Sequence, residues 1–167
     1  MEKIAALCFG IEDIYNNRNN STEQEVMSFL TRLLKYDVKL FFISRNKQTE
    51  NATSDLIYNQ EDIIYCSSPN AFLDSDLDMK LKKNNISHVI LLGKMYPMAM
   101  ESTSYNAYFH GYQTIALKEM IISEEKDNIQ DFFAWFNLYF GITYTSDDLF
   151  KAIETGSIFT VKDVEIP

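Results

Sequence analysis

Short apolar runs of strand length alternate along this chain with longer segments that have helical periodicity. Apolar runs bounded by turn residues are typical of buried strands, and apolar residues at i, i+3, i+4 and i+7 are typical of amphipathic helices. The predicted strands cover residues 4–9, 38–44, 63–65, 86–92, 112–117 and 142–144. The predicted helices follow Ser21 and cover residues 76–84, 98–110 and 129–140; Ser146 is predicted to cap a final helix that Gly156 ends. The first helix is predicted to bury Val26, Phe29, Leu30, Leu33 and Leu34.

This alternation predicts an α/β fold of three layers (α/β/α), with a six-stranded, mostly parallel sheet between two layers of helices. Nearly unbroken apolar strands support the prediction, because the strands of such a sheet are buried on both faces. No linker or internal repeat divides the sequence, so we expect one domain over residues 1–167. Ligand sites in these folds lie beyond the carboxyl ends of the strands. The residues after Phe9, Tyr65 and Gly93 are therefore the candidates for a site.

The charge of the chain argues against a nucleic-acid partner. Asp and Glu number 24 against 15 Lys and Arg, which gives a formal net charge of −9. Binding to phosphate backbones requires clustered basic side chains. The one dense basic cluster, Lys80, Lys82 and Lys83, falls late in a predicted helix, where cations complement the helix dipole. We expect no nucleic acid among the partners of this protein.

Few residues are available to bind a metal ion. The chain has two cysteines, Cys8 and Cys66, and two histidines, His88 and His110. These are too few for a disulfide scaffold or a structural zinc site, so we expect neither a metal nor another cofactor. No apolar run approaches the roughly 20 residues that span a bilayer, and the chain opens directly on an apolar strand. We therefore expect a cytoplasmic protein that does not bind membranes.

One segment has a specific spacing of residues around a predicted strand end. A buried strand ends at Gly93, a five-residue turn follows, and Ala99 opens a helix that contains Thr103 and Ala107 and ends at Gly111-Tyr112. This pattern resembles the signature of the isochorismatase-like cysteine hydrolases, which include nicotinamidases and N-carbamoyl amidohydrolases. Weaker similarity at residues 6–9, 70–72 and 140–146 extends the resemblance over roughly residues 3–155. The resemblance implies the Rossmann-like fold of that family.

The chemistry of that family depends on three side chains. An Asp after the first strand moves protons, a Lys after the third supports the charged state, and a Cys at a helix N-terminus attacks the substrate. In this sequence the resemblance puts Gly10, Cys66 and Ala99 at those positions. It also implies that these residues, with Met95 and Tyr96, line a binding pocket for a small molecule. Since Gly cannot transfer a proton and Ala cannot attack, we expect a pseudoenzyme that serves in binding or assembly.

A second interpretation is a hydrolase with an altered mechanism, in which Cys66 or a carboxylate near the pocket acts on a small amide. Cys66 has no evident base nearby in the sequence, so we expect an inert thiol with a pKa near its ordinary value of about 8.5. Glu12 and Asp13 follow Gly10 closely. A displacement of two residues moves a side chain by up to about 7 Å along an extended chain, which is too far to replace the missing Asp.

Aromatic residues cover more than one face of the predicted helix over residues 129–140. A thick core against the sheet accounts for most of them. A helix that is apolar beyond one stripe also buries its second face against another subunit in many proteins. The isochorismatase-like proteins that this sequence resembles commonly assemble through such helices, so the resemblance implies a homodimer or a larger homo-oligomer. The residues concerned are Phe132, Phe133, Trp135, Phe136, Tyr139 and Phe140.

Overall fold

Six parallel strands form the centre of the protein. The computed structural model describes residues 2–11, 21–45, 62–94, 98–123 and 126–158. Within them the strand order is β3-β2-β1-β4-β5-β6, and every described pair of neighbours is parallel. The predicted α/β fold is confirmed. The strands are β1 (Ile4–Phe9), β2 (Lys39–Ser44), β3 (Ile63–Tyr65), β4 (His88–Lys94), β5 (Gln113–Ile122) and β6 (Gly141–Tyr144).

Helices cover both faces of the sheet. Alternate residues of β1 point to opposite sides, as strand geometry requires. Ala6 and Cys8 join an apolar cluster with α1 and α5, whereas Leu7 and Phe9 join a second cluster with α2, α3 and α4. The protein therefore has the three layers that the sequence predicts. The helices within the described residues are α1 (Ser21–Leu34), α2 (Leu77–Lys83), α3 (Ala99–Phe109), α4 (Lys126–Tyr139) and α5 (Ser146–Thr155).

Two details of the helices differ from the prediction. Leu34 is 42% exposed, because at i+8 from Val26 it lies about 80° round the helix, at the edge of the buried face. The N-cap of α5 is Thr145 rather than Ser146, and the Thr145 hydroxyl oxygen accepts a hydrogen bond from the backbone N–H of Asp148. Both residues are good caps, so the sequence alone did not decide between them.

Strand β5 is longer than predicted. Leu91 pairs with Ala116, but Gly93 pairs with Ile121, so the register shifts and three extra residues bulge from β5. Lys118 and Glu119 lie exposed in this bulge and interrupt the apolar run that the prediction followed. A bulge leaves the extra residues of one strand unpaired, while the residues on either side of it stay paired with the neighbouring strand. The ends of the other strands differ from the prediction by at most two residues.

Candidate functional site

The carboxyl ends of β1 and β4 are in very close contact. Gly93 pairs with Phe9, and its φ of +103° is one that L side chains rarely adopt. A Cβ added to Gly93 would lie 2.2 Å from the carbonyl oxygen of Phe9. Only glycine allows the two strands to approach this closely. Gly10 comes directly after Phe9, the last residue of β1; it is buried and also has a positive φ, of 59°. Gly10 therefore lies at the carboxyl edge of the two central strands.

Helix α3 starts at the same edge of the sheet. Met98 precedes it in a left-handed conformation, with a φ of 63°, and its side chain caps no backbone N–H. A non-glycine residue rarely adopts this conformation, and such residues cluster at functional sites. Ala99, the first helical residue, is buried. Its methyl group can neither attack a substrate nor accept a proton.

A hydrogen bond ties α3 to the segment after β3. The hydroxyl oxygen of Thr103, which is fully buried, accepts a hydrogen bond of 3.0 Å from the backbone N–H of Ala71. The buried side chain of Asn70 accepts a second bond of 3.0 Å, from the backbone N–H of Phe72. The first bond satisfies the N–H of the buried Ala71, which would otherwise lack a partner. Thr103 and the segment Asn70–Phe72 are two of the matches on which the family resemblance rests, and here they meet in space.

Cys66 follows the edge strand β3 and is buried. Its backbone N–H donates to the carbonyl oxygen of Ser44 at 3.1 Å, and its Sγ lies 3.9 Å from the same oxygen. Burial raises the pKa of the Cys66 thiol above its ordinary value, and the nearby charge of Arg45 offsets only part of this effect. The expectation of an ordinary pKa was therefore wrong. A thiol with a raised pKa stays protonated at neutral pH. Because the thiolate is the nucleophilic form of cysteine, Cys66 is a poor nucleophile in this environment.

A cleft opens beside Cys66 at the edge of the sheet. Its volume is about 890 Å³, which is within the range of small-molecule sites. Two cations, Arg45 and Lys80, and two carboxylates, Asp74 and Asp76, line it together with Cys66. Of the described residues, neither Gly10 nor Ala99 lines this cleft.

The charged groups of this cleft are partly paired with one another. The Nζ of Lys80 lies 3.1 Å from a carboxylate oxygen of Asp76, and it donates to the carbonyl oxygen of Ile63 at 3.3 Å. Asp74 has a φ of 52°, so it occupies a left-handed turn position. Sequence reasoning missed these cleft residues. The i,i+4 spacing of Asp76 and Lys80 was visible, but it indicates a helical ion pair as readily as a site.

The candidate site residues follow three different strands of the sheet. Gly10 and Ala99 lie at the carboxyl ends of β1 and β4, whereas Cys66 follows β3, with β2 between β3 and β1. Cys66 and Ala99 do belong to the same apolar cluster on one face of the sheet. The other predicted pocket residues, Met95 and Tyr96, lie outside the described residues, as do Glu12 and Asp13.

In the part of the chain that the structure describes, no three His, Cys, Asp or Glu side chains are grouped closely enough to hold a metal ion. His88 is buried at the start of β4, at the amino edge of the sheet, with Nδ1 2.8 Å from the hydroxyl of Ser87. His110 lies at the far end of α3 from Ala99, against Asp78. Over the same described ranges, no helix is long and apolar enough to cross a membrane.

Comparison with known proteins finds similarity at the level of structure. The sequence matches no family model and no curated protein. An isochorismatase-like hydrolase from Alkaliphilus metalliredigens has a TM-score of 0.71 and 22% identity, over 90% of this chain and 98% of that one. A nicotinamidase from Staphylococcus aureus has a TM-score of 0.70 and 17% identity, over 86% of this chain and 98% of that one.

A third solved structure is similar over nearly its whole length. The N-carbamoylsarcosine amidase from Thermoplasma acidophilum has a TM-score of 0.65 and 15% identity, over 87% of this chain and 97% of that one. The three proteins span the activities that the sequence pattern suggests. The chain therefore has the fold of the isochorismatase-like hydrolases and nicotinamidases.

Proposed function

We propose that this protein is a divergent member of the isochorismatase-like family that binds a small molecule and does not hydrolyse it. The observation that carries the proposal is the identity of three residues, Gly10, Cys66 and Ala99, at the ends of the strands where this fold holds its chemistry. The position after the turn that follows β4 has a buried methyl group in place of a nucleophile. Covalent catalysis at that position is therefore impossible.

The surroundings of Cys66 support a non-catalytic role. Nucleophilic cysteines have lowered pKa values, which arise from a neighbouring base, a cation or a helix N-terminus. The pKa of Cys66 is raised instead, because burial outweighs the effect of Arg45. The Sγ of Cys66 lies 3.9 Å from the backbone carbonyl oxygen of Ser44, which cannot take a proton.

The cleft beside Cys66 is where we expect a ligand to bind. It has the size of a small-molecule site, and it presents a guanidinium and an ammonium group alongside two carboxylates. Such a lining suits a polar ligand that has both acceptors and donors, for example an amide or a zwitterion. We also expect the protein to be cytoplasmic.

A second candidate function is hydrolysis of a small amide by an altered mechanism, and one observation favours it. Cys66 is the one thiol in the cleft, and carboxylates line the same cleft. A carboxylate that moved within about 3 Å of the thiol could act as its base.

The test measures ammonia released from nicotinamide and from N-carbamoylsarcosine by the purified chain, with an active nicotinamidase as the positive control. We expect no release above the blank. Turnover that disappears in Cys66→Ala but persists in Cys8→Ala would overturn the proposal and support the second candidate. Cys8 is a suitable control because it is the other thiol and lies buried in β1, away from the cleft. Turnover that survives both substitutions would also refute a non-catalytic role, once it is shown to copurify with the chain.

Binding needs a separate measurement. Nicotinamide and N-carbamoylsarcosine serve as probes in calorimetric titrations of wild type and of Arg45→Gln, which removes one cleft cation. We expect at least one probe to bind wild type and to bind the variant at least tenfold more weakly. Binding that is unchanged in Arg45→Gln would place the ligand elsewhere.

A further inference from the structure

A small pocket at the amino edge of the sheet is lined by lysines from two different elements. Lys39 begins β2, Asp62 lies directly before β3, and Lys83 is the last residue of α2. The pocket has a volume of about 390 Å³, which is within the range of small-molecule sites. We call it the lysine pocket; its lining residues are Lys39, Phe41, Asp62, Lys80, Lys83 and Asn84.

The lining of the lysine pocket reverses the charge of the protein. In the whole chain Asp and Glu outnumber Lys and Arg by 24 to 15. The pocket, in contrast, is lined by three lysines and one carboxylate. A concave surface lined mainly by one sign of charge concentrates ligands of the opposite sign. The pocket therefore favours an anion, which most of the acidic surface repels.

The helix dipole explains only part of this arrangement. The C-terminal end of a helix carries about half a negative charge, and α2 has three lysines in its last turn. Lys80 and Lys82 also pair with the carboxylates four residues before them, at 3.1 and 2.6 Å. Among the described residues, Lys83 has no carboxylate partner. Neither the dipole nor these pairs explain why Lys39, from a strand, lines the same pocket.

Contacts within the protein hold two of the lysines in place and leave donors free. The Nζ of Lys39 lies 2.5 Å from a carboxylate oxygen of Asp62, and the Nζ of Lys80 donates to the carbonyl oxygen of Ile63 at 3.3 Å. An ammonium group has three donors, so partners in the described ranges use one donor of Lys39 and two of Lys80. The side-chain amide of Asn84 is fixed by a bond of 2.8 Å to the carbonyl oxygen of Lys80. Groups that are positioned before a ligand arrives lose little entropy when it binds.

We infer that the lysine pocket binds a phosphate group, either of free phosphate or of a small phosphate ester. A phosphate group carries close to two negative charges at neutral pH and has three acceptor oxygens, which match several separate cationic donors. Lysine binds phosphate as a point charge, whereas the fork of arginine is what fits a carboxylate. The described lining contains lysines and no arginine. A nucleic-acid backbone needs an extended basic surface, and this pocket is a single small concavity.

This ligand is distinct from the one that we propose for the cleft beside Cys66. The cleft follows the carboxyl end of β3, whereas the lysine pocket lies at the amino ends of β2 and β3. Lys80 lines both, but of these two cavities Arg45 lines the cleft alone and Lys83 the lysine pocket alone. Substitutions at Arg45 and Lys83 therefore separate the two sites. Failure of the proposed function and failure of this inference are distinguishable in the same way.

The experiment records two-dimensional amide NMR spectra of the full chain during titration with inorganic phosphate, glycerol phosphate or acetate at constant ionic strength. We expect both phosphate compounds to cause saturable shifts at the amides of Lys39, Lys83 and Asn84, with a Kd of about 1 mM or tighter. The tighter binder of the two identifies the source of the phosphate group. Acetate, which has one charge and no third acceptor oxygen, should cause no saturable shift.

Two neighbouring lysines provide a matched pair of variants. Lys83→Gln removes a charge from the pocket, and Lys82→Gln removes an equal charge from an exposed residue of the same helix end that does not line it. We expect Lys83→Gln to weaken phosphate binding about fivefold, as for the loss of one exposed charge pair, and Lys83→Glu to abolish it. Lys82→Gln and Arg45→Gln should leave it nearly unchanged. Circular dichroism checks that each variant is folded.

Four results would overturn the inference. The first is the lack of a saturable shift with either phosphate compound, and the second is acetate binding as tight as that of phosphate. The third is equal weakening in Lys82→Gln and Lys83→Gln, which would show that only the net charge matters. The fourth is binding that Arg45→Gln weakens and Lys83→Gln does not, which would place the phosphate in the cleft beside Cys66.

Discussion

Substitution of Gly93 by alanine tests whether the close contact between β1 and β4 is essential to the fold. The added Cβ would lie 2.2 Å from the carbonyl oxygen of Phe9 and 2.9 Å from its backbone nitrogen. These atoms belong to a central strand, so they cannot move aside as a flexible side chain would. Overpacking of this kind costs about 1–3 kcal/mol or more, and a positive φ in an L residue adds about 1–2 kcal/mol. We therefore expect Gly93→Ala to lower the free energy of unfolding by about 4 kcal/mol.

Gly111→Ala is the matched control. Gly111 also has a positive φ, of +87°, but no atom lies within 4 Å of an added Cβ. This variant should therefore lose only the conformational contribution of about 1–2 kcal/mol. The comparison isolates the clash with Phe9 from the cost of the backbone conformation.

The assay is unfolding in urea, monitored by far-ultraviolet circular dichroism at one fixed protein concentration. In a chain of this size each kcal/mol lowers the melting temperature by about 2–4 °C, so Gly93→Ala should also melt about 10 °C lower. If the two variants differ by less than about 1 kcal/mol, the strands can separate at low cost. The close contact would then not be what requires glycine at position 93.

Two further predictions concern single side chains. Thr103→Val leaves the buried N–H of Ala71 without its partner, so it should lower the free energy of unfolding in urea by about 1–3 kcal/mol. Thr103→Ser keeps the hydroxyl acceptor and should lower it clearly less. Equal losses in the two variants would refute this role of the hydroxyl. Partial burial raises the pKa of the Asp78 carboxyl, but hydrogen bonds from Lys82 and Tyr112 outweigh it and lower the pKa overall. The stability gained from ionised Asp78 is therefore present above its unfolded pKa of about 3.9 and is lost as the pH falls through the lower folded value. The destabilisation by Asp78→Asn, measured by urea unfolding, should shrink between neutral pH and pH values of about 3; a difference that grows on acidification would contradict the sign of this shift.

Local pattern was sufficient to predict the layers of the fold. Strands β1 and β3 have the predicted bounds, and Val26, Leu30 and Leu33 of α1 are buried as predicted. These features depend on short apolar runs and on helical periodicity, which a single sequence displays directly. The parallel sheet followed from the alternation of strands and helices.

The sequence also predicts which residues follow three of the strand ends, because the spacing from Gly93 to Thr103 and Gly111 assigns Ala99 its position. It did not determine how far apart those residues lie. That depends on the strand order, which separates Cys66 from the central strands by β2. The raised pKa of Cys66 likewise depends on burial, which is a property of the packed structure.

The cleft and the exposure of the aromatic residues of α4 were decided only by tertiary structure. Arg45, Asp74 and Lys80 are ordinary polar residues in the sequence, and they become a cleft only because a strand end, a turn and a helix meet. The aromatic residues of α4 were visible, but their exposure depends on how α3 packs beside them. Short-range pattern encodes the faces of individual elements, whereas contacts between distant segments depend on the packing of the whole chain.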